Sequence, residues 1–455
     1  MKSLNQYWQQ RDLQHVWHPC TQMKDHEANI PLIPIQRGKG VWLYDFEGKA
    51  YLDAISSWWV NLFGHAHPYI QSRIQSQLSE LEHVLLAGFT HRPVIELSEQ
   101  LVRITPKGLE KCFYTDNGSS AVEAAIKMSF HFWKNHHQPQ KKKFVCLSNS
   151  YHGETLGALS VGNVSLYKET YGPLLFEVIT APSPDAFLAP KDVDIITYTR
   201  QQFEKIKILL EKDADCIAAV IIEPLVQCAG NMRMYHPLYL TLLRECTEKL
   251  GIHFIADEIA VGFGRTGTLF ACEQAGIVPD FLCLSKGLTG GFLPLAVVMT
   301  TSTIYQAFYD DYHTQRAFLH SHSYTGNPLA CSAALATIEL FEKNAVIKNN
   351  QAHIQYMKTH TEKWRNYPYV ADVRQTGMIL AVELMAEPHS QTPFAWQRRV
   401  GLQMYREGLQ RGILLRPLGD VIYLMPPYVI SETELSFLID QVDQCLQQVA
   451  LNIQS

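Results

Sequence analysis

The chain has 455 residues, of which 47% are hydrophobic and 18% are charged, and its formal net charge at pH 7 is -5. This length can bury a substantial core in one large and one smaller domain. The slightly acidic charge argues against a nucleic-acid partner, and no run of about 18 apolar residues indicates a membrane span. The ten cysteines include no Cys-x-x-Cys pair, which favours reduced thiols in a cytoplasmic protein over disulfides or a metal site.

The first two thirds of the chain show the pattern of an α/β domain. Up to about residue 67, short strand patterns such as residues 40–45 are followed by turns such as Glu47-Gly48. From there to about residue 328, strand-like runs alternate with helical patterns. Some runs are almost wholly apolar, as is typical of parallel strands covered on both faces: residues 144–147, 217–222, 252–256 and 281–284.

The last third has a different pattern, in which a helical segment over 331–343 precedes strand patterns such as 378–382. This order is typical of an α+β domain, which the amino-terminal segment is expected to join. We therefore predict a small domain formed by residues 1–75 and 330–455, and a large domain formed by residues 76–329. The basic run Lys141-Lys142-Lys143 is expected to be a solvated loop.

Two residues indicate the chemistry. Lys286 follows the apolar run 281–284, where an ammonium is costly to desolvate, so the neutral amine that can attack an aldehyde is favoured. Asp257 follows the apolar run 252–256, at the edge of the sheet where α/β proteins bind ligands. A lone lysine is usually a solvated surface charge, and a lone aspartate after a strand is usually a helix cap or a turn former. Together, a lysine for an aldehyde and an aspartate for a pyridinium nitrogen indicate pyridoxal 5'-phosphate (PLP).

Other segments could hold the rest of such a cofactor. The turn at residues 116–120 opens a helical pattern, and Ser120-x-x-Glu123 predicts a capping box, so free amides there suit a phosphate. Most capped helices bind no phosphate, so this signal is weak alone. Tyr151, in the loop after the run 144–147, is the predicted stacking residue for the cofactor ring, and Ile259 could pack on the opposite face.

Several short motifs occur in an order that resembles the class III PLP-dependent aminotransferases of fold type I: Glu223-Pro224, Asp257-Glu258, Gly262-Phe263-Gly264-Arg265-Thr266-Gly267, Pro279-Asp280, Ser285-Lys286-Gly287 and Gly326-Asn327-Pro328. The resemblance covers nearly the whole chain. It implies a large domain with a mostly parallel sheet, a smaller α+β domain from both termini, and a homodimer with shared active sites. Residue by residue, it implies that Gly118 and Ser119 bind the phosphate, that Tyr151 stacks on the ring, and that Ser323 offers a hydroxyl to a phosphate.

The same resemblance implies how the central pair works. Asp257 would keep the ring nitrogen protonated, which makes the ring a stronger electron sink. Lys286 would hold the aldehyde at rest and later carry protons between substrate and cofactor carbons.

Further motifs, at residues 16–19, 56–59, 232–237 and 423–428, are similar to the branch of this family that acts in biotin biosynthesis. Members of that branch convert 8-amino-7-oxononanoate to 7,8-diaminononanoate, usually with S-adenosylmethionine as the amino donor. The similarity implies a substrate pocket lined by Trp58, Ser321, Arg416 and Tyr423. Arg416 would bind a carboxylate with both arms of its guanidinium.

The chain departs from that branch at several positions, which are Cys20 in place of tyrosine, Glu154 in place of aspartate, Ser321 in place of glycine and Ser323 in place of threonine. Cys20 removes an aromatic wall from the pocket and leaves the donor open between S-adenosylmethionine and lysine. Another class III ω-amino-acid or diamine aminotransferase, or a PLP-dependent aminomutase, would share the fold and the lysine. The interpretation of Gly262-x-Gly264 as part of a nucleotide-binding module is rejected, because the third glycine of that motif is missing.

Overall fold

The structure is a computed structural model that describes residues 3–454. The chain forms two compact units. One is Tyr69–Gln351, and the other combines the described residues up to Pro68 with those from Ala352 onward. The domain boundaries predicted at residues 75/76 and 329/330 stay a prediction. Within residues 3–454, no helix combines the length and apolarity that a membrane crossing requires.

The strands lie as follows in chain order: β1 (Ile35–Lys39), β2 (Trp42–Asp45), β3 (Ala50–Asp53), β4 (Leu109–Thr115), β5 (Lys143–Leu147), β6 (Ile179–Ala181), β7 (Ile217–Ile222), β8 (Val226–Gln227), β9 (Arg233–Met234), β10 (His253–Asp257), β11 (Phe281–Leu284), β12 (Ala296–Thr301), β13 (Val370–Thr376), β14 (Ile379–Leu384), β15 (Ile413–Leu414) and β16 (Val421–Leu424).

The helices lie as follows in chain order: α1 (Leu4–His15), α2 (Asp25–Ala28), α3 (Ser56–Trp59), α4 (Pro68–Leu78), α5 (Arg92–Ile104), α6 (Gly118–Asn135), α7 (Leu156–Ser160), α8 (Ser165–Tyr171), α9 (Ile195–Asp213), α10 (Leu238–Lys249), α11 (Ser302–Gln306), α12 (Pro328–Lys343), α13 (Val346–Thr361), α14 (Val400–Gln410) and α15 (Glu432–Gln454). The segment α3 is irregular, because its residues have positive φ values.

The unit Tyr69–Gln351 is built on a sheet with the strand order β4-β12-β11-β10-β7-β5-β6. The strands from β11 to β6 pair in parallel, whereas β12 is antiparallel to both β11 and β4. For this reason β4 points the same way as the parallel strands. The apolar runs predicted as parallel strands form β5, β7, β10 and β11, which confirms an α/β fold with a mostly parallel sheet.

Helix α6 packs on this sheet through small and branched apolar side chains. Its Ala121, Val122 and Ala125 belong to one buried cluster with Ile221 of β7 and Cys283 of β11. Alanine at the contact lets the helix approach the strands closely, and close packing of this kind supplies most of the stability of a helix in a folded protein. The packing fixes the amino-terminal end of α6 beside the carboxyl ends of the strands.

The other unit contains two small sheets, with the orders β1-β2-β3-β15 and β13-β14-β16. The predicted turn at Glu47-Gly48 joins β2 to β3. There the carboxylate of Asp45 accepts the N–H groups of Glu47 and Lys49, both at 2.9 Å, and Gly48 takes φ = 84°, which glycine adopts without a steric penalty. Strand β3 therefore begins at a position set by its hairpin, and it leads into the irregular segment α3.

The expectation that Lys141-Lys142-Lys143 is a solvated loop was wrong for Lys141, which is buried, and for Lys143, which begins β5. The Lys141 side chain is buried, and its ammonium donates to the carbonyl oxygens of Ala214, Ile217 and Gly251 at 2.9, 3.3 and 2.9 Å. Burial lowers its pKa. A buried ammonium is tolerated when its donors are satisfied, and carbonyls at the ends of helical segments are the acceptors that a cation prefers.

We predict that Lys141→Met lowers the free energy of unfolding by about 1 to 3 kcal/mol, because it leaves buried carbonyls without donors. Chemical denaturation of the purified protein measures the change. Lys142→Met is the matched control, because Lys142 is exposed. Equal stability of the two variants would show that the carbonyl contacts contribute nothing.

Candidate active site

The carboxyl ends of the strands bring together side chains that are far apart in the sequence. The residues that follow or end these strands are Gly118 and Ser119 after β4, Tyr151 and His152 after β5, Glu223 after β7, Asp257 at the end of β10, and Lys286 after β11. Because all these strands point the same way, these residues lie at one edge of the sheet, where open α/β folds bind ligands.

Asp257 is held by two donors. Its side chain is buried, and its Oδ2 lies 2.7 Å from Nδ1 of His152, whose side chain is also buried. The N–H of Ile259 donates to Oδ1 at 3.1 Å. An ionised carboxylate can only accept, so Nδ1 of His152 is the donor of this hydrogen bond. The Nε2 atom of His152 is buried and has no hydrogen-bond partner within residues 3–454.

Lys286 begins a short 3-10 turn (Lys286–Thr289) and has φ = 45°. The preceding Ser285 donates its hydroxyl to the carbonyl of Leu295 at 2.8 Å, and Gly290 and Gly291 both have positive φ values. Desolvation by burial lowers the pKa of Lys286, while the charge of Asp257 opposes the shift. A lowered pKa increases the fraction of neutral amine, which is the form that attacks an aldehyde.

Glu223 fixes the loop that carries Tyr151. Its buried carboxyl accepts the N–H of Tyr151 through Oε2 and the N–H of Cys228 through Oε1, each at 3.0 Å. Burial raises its pKa to about 7, although the charge of His152 opposes the shift. The phenol of Tyr151 donates to Glu154 at 3.0 Å. Tyr151 is thus tied at both its main chain and its hydroxyl.

His152 and Glu223 received no role from the sequence, although Glu223-Pro224 is one of the motifs that resemble the family. Glu223 comes directly after the buried strand that ends at Ile222, which is the same signal that identified Asp257, whereas His152 lies farther along the loop that follows Leu147. What the sequence does not contain is the pairing of His152 with Asp257 and of Glu223 with Tyr151. These pairings depend on strand order.

The turn before α6 has the geometry of an anion cradle. Asn117 is the N-cap and accepts the N–H of Ser120 at 3.0 Å. Gly118 and Ser119 come first in the helix, where amide groups have no carbonyl partner within the helix. A Cβ atom at Gly118 would lie 3.0 Å from side-chain atoms of Ile259, so only glycine fits without a shift.

The capping box predicted for Ser120-x-x-Glu123 is wrong. Asn117 caps the helix instead, and Glu123 lies beyond the first turn. The Glu123 carboxylate accepts the N–H groups of Gly157 and Ala158 at 2.6 and 3.1 Å, so it caps α7. A carboxylate at a helix amino terminus is favourable wherever it comes from. Sequence spacing alone could not distinguish the two helices.

Ser321 and Ser323 lie in the segment between a 3-10 turn (Tyr312–Thr314) and α12. Both residues are exposed. The carbonyl of Ser323 lies 2.6 Å from Nε2 of His83, which ties this segment to the same unit.

The remaining predicted residues belong to the other unit. The guanidinium carbon of Arg416 lies 4.4 Å from the ring centroid of Trp58. Arg416 is partly exposed, and no residue within 3–454 forms an ion pair with it. Tyr423, in β16, is buried with its ring 6.1 Å from the ring of Trp59. Cys20 is exposed and has φ = 53°.

The chain matches the family described as Aminotransferase class-III over residues 23–446. It therefore belongs to the class-III aminotransferases, as the motifs predicted. Members of this family use PLP, which is the cofactor of this protein.

Among its relatives, the adenosylmethionine-8-amino-7-oxononanoate aminotransferase of Helicobacter pylori is 47% identical over 444 residues, covering 96% of this chain and 97% of the relative. The enzyme of the same name from Methanocaldococcus jannaschii has a crystal structure with a TM-score of 0.92 at 37% identity, covering 97% and 99% of the two chains. An (S)-enantioselective omega-transaminase from Thermomicrobium roseum has a TM-score of 0.93 at 30% identity, covering 97% and 98%. The fold is thus that of class III transaminases, which have fold type I.

The described residues fit the cofactor. The cradle at Gly118 would be filled by any larger residue, and its helix end offers amides to a phosphate. A buried carboxylate, Asp257, offers a charge to a pyridinium nitrogen. A desolvated amine, Lys286, offers a nucleophile to an aldehyde. When bound, PLP supplies the aldehyde and an electron-withdrawing ring.

We predict that Lys286→Ala leaves the protein folded but abolishes turnover and the visible absorbance of lysine-linked PLP, because no other predicted residue supplies the amine. Absorption spectra and an aminotransfer assay measure the two effects. Lys249→Ala, at an exposed lysine of α10, is the matched control. Normal turnover in Lys286→Ala would contradict the assignment.

We predict that Asp257→Asn still binds PLP but slows the reaction with an amino donor by about a hundredfold or more, because the charge that favours a protonated ring nitrogen is lost. Stopped-flow absorbance in a single half-reaction measures this rate apart from the second substrate. A wild-type rate would mean that Asp257 has only a structural role.

Proposed function

We propose that this protein transfers an amino group to 8-amino-7-oxononanoate and so makes 7,8-diaminononanoate for biotin biosynthesis. The observation that carries the proposal is the similarity, at 37 to 47% identity over almost the full chain, to enzymes named for this substrate. The lysine, the aspartate and the glycine turn at one sheet edge support it, because aminotransfer needs all three groups.

In this proposal the cofactor is held by the large sheet's edge. Gly118 and Ser119 bind the phosphate, Asp257 pairs with the ring nitrogen, and Tyr151 and Ile259 cover the ring. The contacts that support these roles are the donors to Asp257 from His152 and the Ile259 amide, and the ties from Glu223 to the Tyr151 loop. Rigid support of this kind is what a reaction that depends on orientation requires.

Lys286 has two roles in the proposal. Its neutral amine would hold the aldehyde carbon of PLP, and the same side chain would serve as the base and acid that carries the proton between the substrate and cofactor carbons. The lowered pKa supports both roles, since a proton carrier works best when its pKa lies near the working pH.

We propose that Arg416 binds the carboxylate of the acceptor, with Trp58, Tyr423 and Ser321 as further substrate contacts. The geometry supports this role for Arg416. Its guanidinium lies over the Trp58 ring, and it forms no ion pair with a described residue. A planar guanidinium can bind both oxygens of a carboxylate. An arginine that already formed an ion pair with an acidic side chain would be less able to bind the carboxylate of the acceptor.

The donor in this proposal is S-adenosylmethionine, as in the name of the relatives, with lysine as the alternative because Cys20 replaces an aromatic residue. The experiment is to incubate the purified holoenzyme with 8-amino-7-oxononanoate and each donor separately, and to identify 7,8-diaminononanoate by mass spectrometry. Diamine that forms when neither donor is present would contradict the proposal. No diamine with either donor would favour another ω-aminotransferase.

We predict that Arg416→Ala raises the KM for 8-amino-7-oxononanoate by roughly thirtyfold, which corresponds to about 2 kcal/mol for an unpaired carboxylate. Steady-state kinetics at saturating donor measure it. Arg398→Ala is the matched control, because Arg398 is an exposed arginine beside the ring of Phe394 in the same unit. An unchanged KM would place the carboxylate elsewhere.

We also propose that the protein is a cytoplasmic homodimer in which Ser323 serves the phosphate site of the neighbouring subunit. The exposure of Ser323 supports this role, and the free thiols of all ten cysteines support a reducing compartment. Light scattering should give a mass of twice 51.8 kDa. A monomer that still turns over would contradict the shared site.

A further inference from the structure

The segment Ser56–Trp59 is a left-handed turn. Its residues Ser56, Ser57, Trp58 and Trp59 have φ values of 52°, 45°, 71° and 75°. None is glycine, and each residue in this conformation costs about 1 to 2 kcal/mol relative to the right-handed one. Such a run persists only where neighbouring groups hold it in place.

Asp53 supplies that hold. It is fully buried at the end of β3. Its Oδ1 accepts the N–H groups of Ile55 and Ser57 at 3.3 and 3.0 Å, and its Oδ2 accepts the hydroxyl of Ser57 at 2.7 Å. The Nε2 atom of His65 lies 3.0 Å from the same oxygen. One carboxylate thus binds the start of the turn at both main chain and side chain.

His65 is itself fixed, so it cannot swing away from Asp53. Its Nδ1 lies 3.2 Å from the amide nitrogen of Asn61, and its main chain exchanges two hydrogen bonds with Gly40 at 2.7 and 3.1 Å. A Cβ atom at Gly38 would lie 2.5 Å from the Cβ of His65. The ring is therefore packed directly against the backbone of β1.

The turn presents Trp58, whose side chain is 40% exposed, although its neighbour Trp59 is buried. The ring of Trp58 is the surface on which the Arg416 guanidinium stacks, at 4.4 Å. Stacking restricts the guanidinium plane and leaves the N–H groups at its edge able to donate. A right-handed turn would direct the Trp58 side chain elsewhere.

We propose that Asp53 is a positioning residue for carboxylate recognition. By holding the left-handed turn, it keeps the Trp58 ring against Arg416 and so orients the guanidinium toward the acceptor's carboxylate. This inference rests on the proposed function, in which Arg416 binds that carboxylate. Because Asp53 acts through Trp58, its loss changes the affinity for the acceptor and leaves the rate at saturation near wild type.

The experiment uses the holoenzyme with Asp53→Asn, Arg416→Ala and the double variant. KM and kcat are measured for 8-amino-7-oxononanoate and for its terminal carboxamide, and visible spectra confirm that PLP is bound. Asp45→Asn is the matched control, since Asp45 is also a buried aspartate that accepts two backbone N–H groups at a turn of the same unit.

We expect Asp53→Asn to raise the KM for the acid by about two- to thirtyfold, the range that a guanidinium stacked on a ring contributes. The preference for the acid over the carboxamide should fall by the same factor, with kcat close to wild type. In the Arg416→Ala background the second substitution should add nothing, because the group that it orients is gone. Asp45→Asn should keep the preference.

An unchanged preference in Asp53→Asn, when Arg416→Ala removes it, overturns the positioning role and leaves the proposed function standing. If Arg416→Ala itself changes nothing, both the carboxylate assignment and this inference fail. Should Asp53→Asn not fold, Ser57→Ala takes its place, since it removes the hydroxyl contact and leaves the buried carboxylate facing His65. An unchanged preference in folded Ser57→Ala then overturns the role.

Discussion

A buried carboxylate at the end of β10 constrains the whole large sheet. Asp257 has little access to water, and an uncompensated charge there would be strongly destabilising. Its two donors come from different places: His152 follows β5, two strands away, and the Ile259 amide follows Asp257 itself. His152 can reach it only if β5, β7 and β10 end at the same level. The alignment of the strand ends is therefore a condition for the geometry of the site.

Burial acts on the other ionisable groups of the site in a consistent way, because it disfavours charge of either sign. It lowers the pKa of Lys286 and raises the pKa of Glu223 to about 7. For Lys286 the consequence is chemical, since a neutral amine is the reactive form. For Glu223 it is structural, because the carboxyl accepts two main-chain N–H groups whose loss would release the Tyr151 loop. The same desolvation thus serves reactivity in one residue and is tolerated in the other.

The sequence predicted what depends on local pattern and missed what depends on strand order. The apolar runs gave β7 and β11 almost to the residue, and Asp257 and Lys286 stood out because each follows such a run. Glu123 was predicted to cap α6 but caps α7, and Lys141 was predicted to be solvated but is buried. Both predictions were wrong because the partners of these side chains come from distant segments. Spacing rules describe one helix or one turn at a time, and they carry no information about a neighbour that arrives from elsewhere in the chain.

Two of the residues predicted to do chemistry have a strained backbone. Lys286 has φ = 45°, and Trp58 lies in a run of left-handed residues. Strain of this kind persists when contacts over-determine it. For Lys286 these are the Ser285 hydroxyl contact and the glycines that follow, and for Trp58 the contacts of Asp53. The family motif contains the strained residue in each case, but the strain is balanced by groups outside its side chain. Transferring only the motif residue to another scaffold would therefore lose its orientation.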